Sequence, residues 1–277
     1  SDFFHTTFPF SNQSDCDDFR NVALLDVASR TTNINNTSAD LERYGLLVLY
    51  LSLGALTPSR DQILNNHTCA WPGVSCILTW EDGDDEENEE EVLYAINLSD
   101  LSFRGSLPAE VGLLINLEYL EVSGHEGLIG TIPTEIGLLT RIKHVTIKGC
   151  KVHGIIPTEI GSMVSLERLN LEDNVLTDII PTEVGNLQKL VELDMRTNGL
   201  SGNIPIELLE LSSLRMLMLG ENIMTGTIPS ELGSLSNLTS LSLGVNGFSA
   251  LSSEIWGMTE LSYLSISDMN LEGSIPW

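Results

Sequence analysis

The chain has 277 residues, 42% of them hydrophobic, and carries 39 acidic residues against 13 Lys and Arg, a formal net charge of −26 at pH 7. That balance argues against nucleic acid and anionic membrane surfaces as partners. No run of about 18 apolar residues occurs, so no segment reads as a membrane span.

Residues 1–37 are rich in Asn, Ser, Thr and Asp and read as an N-terminal arm or linker. The chain starts at Ser1 without Met or a leader, which fits a processed or partial chain. Residues 38–80 read as a cap. Ser38 is a plausible N-cap for a helix from Ala39 onward, and the apolar stretch 45–52 would cover the open end of whatever follows. The cap closes with Cys69-Ala70-Trp71-Pro72-Gly73-Val74-Ser75-Cys76, a CxWxGVxC segment. A Cys69–Cys76 disulfide would staple it and place the chain in an oxidising compartment. Zinc is the competing reading, since His67 is near, but no fourth ligand is apparent. Cys16 has no evident partner except Cys150, and a leftover Cys points to intermolecular bonding.

Residues 81–91, EDGDDEENEEE, hold nine of the acidic residues. They read as a solvated loop. The sharper alternative is loose Ca²⁺ binding, without the ligand spacing or central Gly of an EF-hand.

From residue 92 to the end a 24-residue period dominates. Repeats begin at Leu93, Leu117, Ile142, Leu166, Leu190, Leu214, Leu238 and Leu261, and share LxxLxLxxNxLxGxIPxxLGxL. Such a period marks a solenoid, here about seven and a half repeats with the last one cut short at Trp277. LxL places apolar side chains on one face of a short strand, so successive repeats predict a parallel sheet on the concave side. Asn174, Asn198, Asn222 and Asn246 leave the strand and predict a buried ladder of paired amides. Gly154, Gly202 and Gly226 permit a turn, and Ile-Pro fixes an extended return leg on the convex side. Leu101, Cys150 and Met269 stand where a ladder Asn would be. The second repeat carries an extra residue within 124–127. The seventh, Phe248–Ser253, lacks both Gly and Ile-Pro, which predicts a local change of surface.

Strand alternation assigns three outward rows to the concave sheet. One reads Ala95, Tyr119, His144, Arg168, Glu192, Met216, Ser240, Tyr263. The next reads Asn97, Glu121, Thr146, Asn170, Asp194, Met218, Ser242, Ser265. The third reads Ser99, Ser123, Lys148, Glu172, Arg196, Gly220, Gly244, Ser267. Two readings follow. The cations either satisfy neighbouring carboxylates in a cross-strand ladder, or Tyr119, His144, Lys148, Arg168 and Arg196 form a polar ligand site for carboxylate or sulfate groups. Met216 and Met218 would add a small exposed apolar spot.

Six sequons, at Asn12, Asn35, Asn36, Asn66, Asn97 and Asn237, point to N-glycosylation. A glycan on Asn97 would stand on the concave sheet. Catalysis finds no support. His5, His67, His125, His144 and His153 are scattered, with no HExxH spacing, no nucleophile motif and no Gly-rich phosphate loop. No cofactor or metal is expected.

The CxWxGVxC cap and the GxIPxEIG segments, as in Gly130-Thr131-Ile132-Pro133-Thr134-Glu135-Ile136-Gly137, resemble the plant-type leucine-rich-repeat family of receptor-like kinase ectodomains and polygalacturonase-inhibiting proteins. The resemblance covers roughly residues 38–277. Arg43-Tyr44 and Leu49-Tyr50 look like the related proteins of diatoms and other stramenopile algae. It implies an α/β right-handed repeat solenoid with a parallel concave sheet and a helical, disulfide-stapled cap. It also implies a secreted, cell-surface or cell-wall glycoprotein that binds a protein, peptide or glycan without catalysis. The alternative is a structural, adhesive or filament-forming protein that self-assembles through residues 1–37 and its open solenoid end.

Overall fold

The computed structural model of the protein describes residues 38–53, 73–80, 89–99, 104–124 and 126–269. The N-terminal arm, Cys16, Cys69, the acidic stretch 81–88, Leu101, His125 and the sequons at Asn12, Asn35, Asn36 and Asn66 lie outside the described residues.

Helix α1 (Ser38–Ser52) forms the N-terminal cap. Its side chains Leu46, Leu49 and Tyr50, with Leu53 just after it, are at most 1% exposed and join the core of the repeats. Burial pushes the Tyr50 hydroxyl well above its ordinary pKa. Gly45 faces the first convex turn, where a Cβ would come within 2.8 Å of the Glu110 carbonyl, so its missing side chain lets the helix lie close to that turn. Glu42 Oε1 accepts from Asn116 Nδ2 at 2.6 Å and ties the helix to the first full repeat.

The concave sheet has nine strands in chain order: β1 (Val74–Trp80), β2 (Glu89–Asn97), β3 (Tyr119–Ser123), β4 (His144–Lys148), β5 (Arg168–Asn170), β6 (Glu192–Asp194), β7 (Met216–Met218), β8 (Ser240–Ser242) and β9 (Tyr263–Ser265). From β2 onward every pair is parallel and every neighbour is one repeat away. The first pair is different: β1 runs antiparallel to β2, with Leu78 opposite Glu91 and Trp80 opposite Glu89. The acidic segment therefore ends in strand, and Glu89–Glu91 belong to β2 rather than to a loop.

On the convex side each repeat makes a five-residue 3-10 turn, such as Thr134–Leu138 and Thr158–Ser162. Proline stands before six of the seven turns, with φ between −61° and −84°, because its ring already holds the extended conformation the return leg needs. In the seventh repeat Ser252 takes that place with φ −72° and the turn Ser253–Gly257 survives. The missing Ile-Pro leaves only a bulge, where Thr227 pairs with Ala250 rather than its neighbour. Phe248 fills the core position at 0% exposure. The turns stack through the glycine of the xEIG segment. A Cβ on Gly137 or Gly161 would sit 2.4 Å from the carbonyl oxygen of Glu159 or Glu183 in the next repeat.

The asparagine ladder is present over the four predicted repeats. Asn222 Nδ2 donates to the carbonyls of Met195, Leu219 and Gly220 at 3.0–3.2 Å, and its Oδ1 accepts from Leu200 N at 3.0 Å. Asn174, Asn198 and Asn246 repeat these contacts one period apart. Cys150, buried, occupies the preceding rung, where its thiol donates to the Lys148 carbonyl at 3.3 Å. Met269 is half-buried against the core. The residue before each rung is left-handed: Asp173, Thr197, Glu221 and Val245 have φ of 56–57°. Gly154, Gly202 and Gly226 turn with φ of 74–85°, and Asp178, which replaces the equivalent glycine, is held at φ 70°.

Candidate functional site

Strand pairing places the three predicted rows side by side. Ala95, Tyr119, His144, Arg168, Glu192, Met216, Ser240 and Tyr263 are consecutive Cα partners, as are Asn97 through Ser265 in the second row. Neighbouring side chains are therefore about one strand spacing, roughly 4.8 Å, apart.

At the N-terminal half the face is aromatic. Tyr94 and Tyr119 meet edge to face with ring centroids 6.1 Å apart, and Tyr119 meets His144 at 4.6 Å. Burial, and secondarily the nearby Arg168 charge, hold the His144 pKa below its ordinary value, while Glu167 and Glu192 pull the other way. Its Nε2 lies 3.9 Å from Glu167. Tyr94 precedes the outward-alternating position by one residue, which is why alternation alone does not place it on this face.

The basic side chains are engaged. Lys148 reaches Glu172 at 2.9 Å. Arg196, two residues beyond the end of β6, is held by Asp194 of its own repeat at 2.7–3.2 Å and by Glu172 at 3.1 Å. The hydrogen bonds that Arg196 donates to Asp194 raise its pKa. On the flank, Lys143 donates to Glu118 at 2.7 Å, which raises its pKa. Arg168 is the loosest of the set: it is 55% exposed and lies 3.4 Å from Glu192. Of the two readings of these charges, the cross-strand ladder describes their contacts.

The second row sinks toward the C-terminal half. Asp194, Met218 and Ser242 are only 6–7% exposed and Met216 is half-buried, so the expected exposed methionine spot does not form. In the third row Gly220 has no side chain, and Ser242 Oγ lies 2.7 Å from where its Cβ would be, so the Ser242 hydroxyl fills that gap.

Glu121 is an acidic group of the concave face. It is half-buried in the second row and is held by neutral donors: Asn97 Nδ2 at 3.0 Å, Ser99 Oγ at 3.1 Å and Ser123 Oγ at 3.3 Å. Asn97, the sequon residue at the end of β2, is exposed, and its Oδ1 accepts from Ser99 N at 3.0 Å. Asn237, the other described sequon, is exposed and donates to the Ser212 carbonyl. Among the described residues no group of three or more His, Cys, Asp or Glu could hold a metal, and no helix is long and apolar enough to cross a membrane.

A leucine-rich-repeat family model matches residues 165–187. Among solved structures, a plant peptide hormone receptor, RGFR1 in complex with RGF2, is 33% identical over 65% of this chain and 29% of its own, with a TM-score of 0.63. The chain folds as a leucine-rich-repeat solenoid similar to plant receptor ectodomains. The repeat ectodomain of the Arabidopsis receptor kinase HAESA, in complex with an N-terminally extended IDA peptide hormone, is 26% identical over 86% of this leucine-rich-repeat chain and 43% of its own, with a TM-score of 0.66. The chain thus spans less than half the length of these receptor ectodomains. A plant ice-binding protein shares the fold at 22% identity, over 86% of this chain and 89% of its own, with a TM-score of 0.64. No curated protein matches the sequence.

Proposed function

We propose that this leucine-rich-repeat chain is a non-enzymatic recognition module that binds a peptide or protein across the N-terminal half of its concave sheet, β2 to β6. The observation that carries the reading is the Tyr94–Tyr119–His144 ledge beside the loosely held Arg168, on a rigid register of parallel strands. Aromatic rings and Arg are the side chains that most often dominate binding energy, and here a stacked backbone fixes them in place. The related receptors solved with peptide hormones support the choice of ligand. An extracellular setting accords with the exposed Asn97 and Asn237 sequons and with the proposed Cys69–Cys76 staple, of which Cys76 packs half-buried against the core.

The test is a peptide-array screen of the full chain, followed by calorimetry on each hit. Tyr119→Ala is expected to weaken a concave ligand by about 2 kcal/mol, and Arg168→Ala by roughly 1 kcal/mol. A ligand whose affinity both substitutions leave unchanged would place recognition elsewhere.

A further inference from the structure

We propose that Glu121 and the ring of Tyr119 form a subsite for a guanidinium or ammonium group, so that the ligand of the concave face is a basic peptide. This rests on the concave face being the binding surface and gives that ligand a charge. The row pattern of the sequence points the other way, to an anion held by Lys148, Arg168 and Arg196. The geometry reverses the sign because those cations already have carboxylate partners at 2.7–3.4 Å.

In the three outward rows of the described strands, Glu172, Glu192 and Asp194 each face a Lys or Arg. Glu121 does not. Among the described residues no ion pair involves it, and its donors are two hydroxyls and an amide, none charged. Neutral donors orient a carboxylate without neutralising it, which leaves a fixed negative charge in a half-buried setting. A cation placed there gains a charge-assisted contact that water has already been partly excluded from.

The surroundings fit an organic cation. Tyr119 and Glu121 alternate on the same face of β3, with Leu120 buried between them, so the two side chains leave the strand roughly 7 Å apart. A guanidinium between them reaches the carboxylate with its N–H groups and the ring with its plane, within the ~6 Å range of cation–π attraction. Tyr94 and His144 contact the Tyr119 ring from the two neighbouring strands and hold it in place. Ala95, the Cα partner of Tyr119 on β2, contributes only a methyl group and leaves room on that side. His144, with its pKa lowered, adds little positive charge at neutral pH to oppose the cation. The chain's net charge of −26 favours encounter with positive ligands over negative ones.

The experiment uses the full chain and short peptides that are identical except for Arg, Lys, citrulline or Glu at one central position, in wild-type protein and in Glu121→Gln and Arg168→Ala variants. Gln keeps an acceptor for Asn97 or Ser99 while removing the charge, so folding is retained and is checked by the thermal midpoint. The Arg peptide is expected to bind about tenfold or more tightly than its citrulline twin, and Glu121→Gln is expected to erase that difference. Equal binding of the Arg and citrulline peptides, or a preference that survives Glu121→Gln, overturns the proposal. Binding of the Glu peptide that depends on Arg168 overturns it too, but leaves the concave face as the binding surface. No binding to this face by any of the four peptides overturns both readings.

Discussion

His144 shows how one side chain carries several competing influences on this sheet. Its pKa is lowered first by burial and then by Arg168, against the pull of Glu167 and Glu192. The folded state therefore binds its proton less readily than the unfolded chain, whose His titrates near 6.5. Between the lowered value and about 6.5 the unfolded state holds more proton, so stability falls as pH drops through that window. An NMR titration should give a midpoint below 6.5, and Arg168→Ala should move it up by removing one of the lowering causes. A midpoint at or above 6.5 would contradict the arrangement. At the same scale, Asp194 is explained only by the structure: alternation places it outward, yet its carboxylate is buried because Arg196, two residues past the end of the strand, folds back onto it.

The asparagine rungs are the element-scale feature on which the stacking of repeats depends most directly. Removal of the Asn222 amide leaves the Leu200 N–H without its partner inside the core and the Met195 carbonyl with Asn198 as its remaining amide donor. Asn222→Ala should cost about 3 kcal/mol in chemical denaturation, at the upper end for orphaned buried polar groups. Asn174→Ala should cost less, because that rung is half-buried and water can replace the amide. Equal losses at the two sites would mean that burial does not govern the rung. These elements were legible in the sequence because period 2 within the strand and period 24 between strands fix both facing and register at once. The antiparallel β1 was not, because it belongs to the cap and has no copy to compare with. The burial of Ser242 was not, since its hydroxyl fills a place that Gly220 leaves empty in the row beside it. The xEIG glycines could have been read as packing residues: their recurrence beside Glu signals close backbone approach, a signal that the turn glycines overshadow.

For the molecule as a whole, charge is spread unevenly. A net charge of −26 opposes the folded stack through self-repulsion, whereas the concave ion pairs favour it by ~0.2–1 kcal/mol each. Repulsion acts over many groups, so raising NaCl from about 0.01 M to about 0.2 M, which shortens the Debye length from ~30 Å to below 10 Å, should raise the thermal midpoint. A fall on added salt would mean that the local pairs outweigh the global repulsion.

The rungs also give the stack a direction. Asn174, Asn198, Asn222 and Asn246 each donate to a carbonyl of the repeat before, at Ile147, Leu171, Met195 and Leu219. Each also donates within its own turn, to a carbonyl three residues back. Peeling a repeat from the C-terminal side withdraws an amide oxygen that an N–H of the repeat left behind needs, and takes one of two donors from a shared carbonyl. Peeling from the N-terminal side leaves each exposed amide still bonded within its own turn. Like a zip fastener, the solenoid has teeth that all point one way, so its resistance to being pulled apart depends on which end is held.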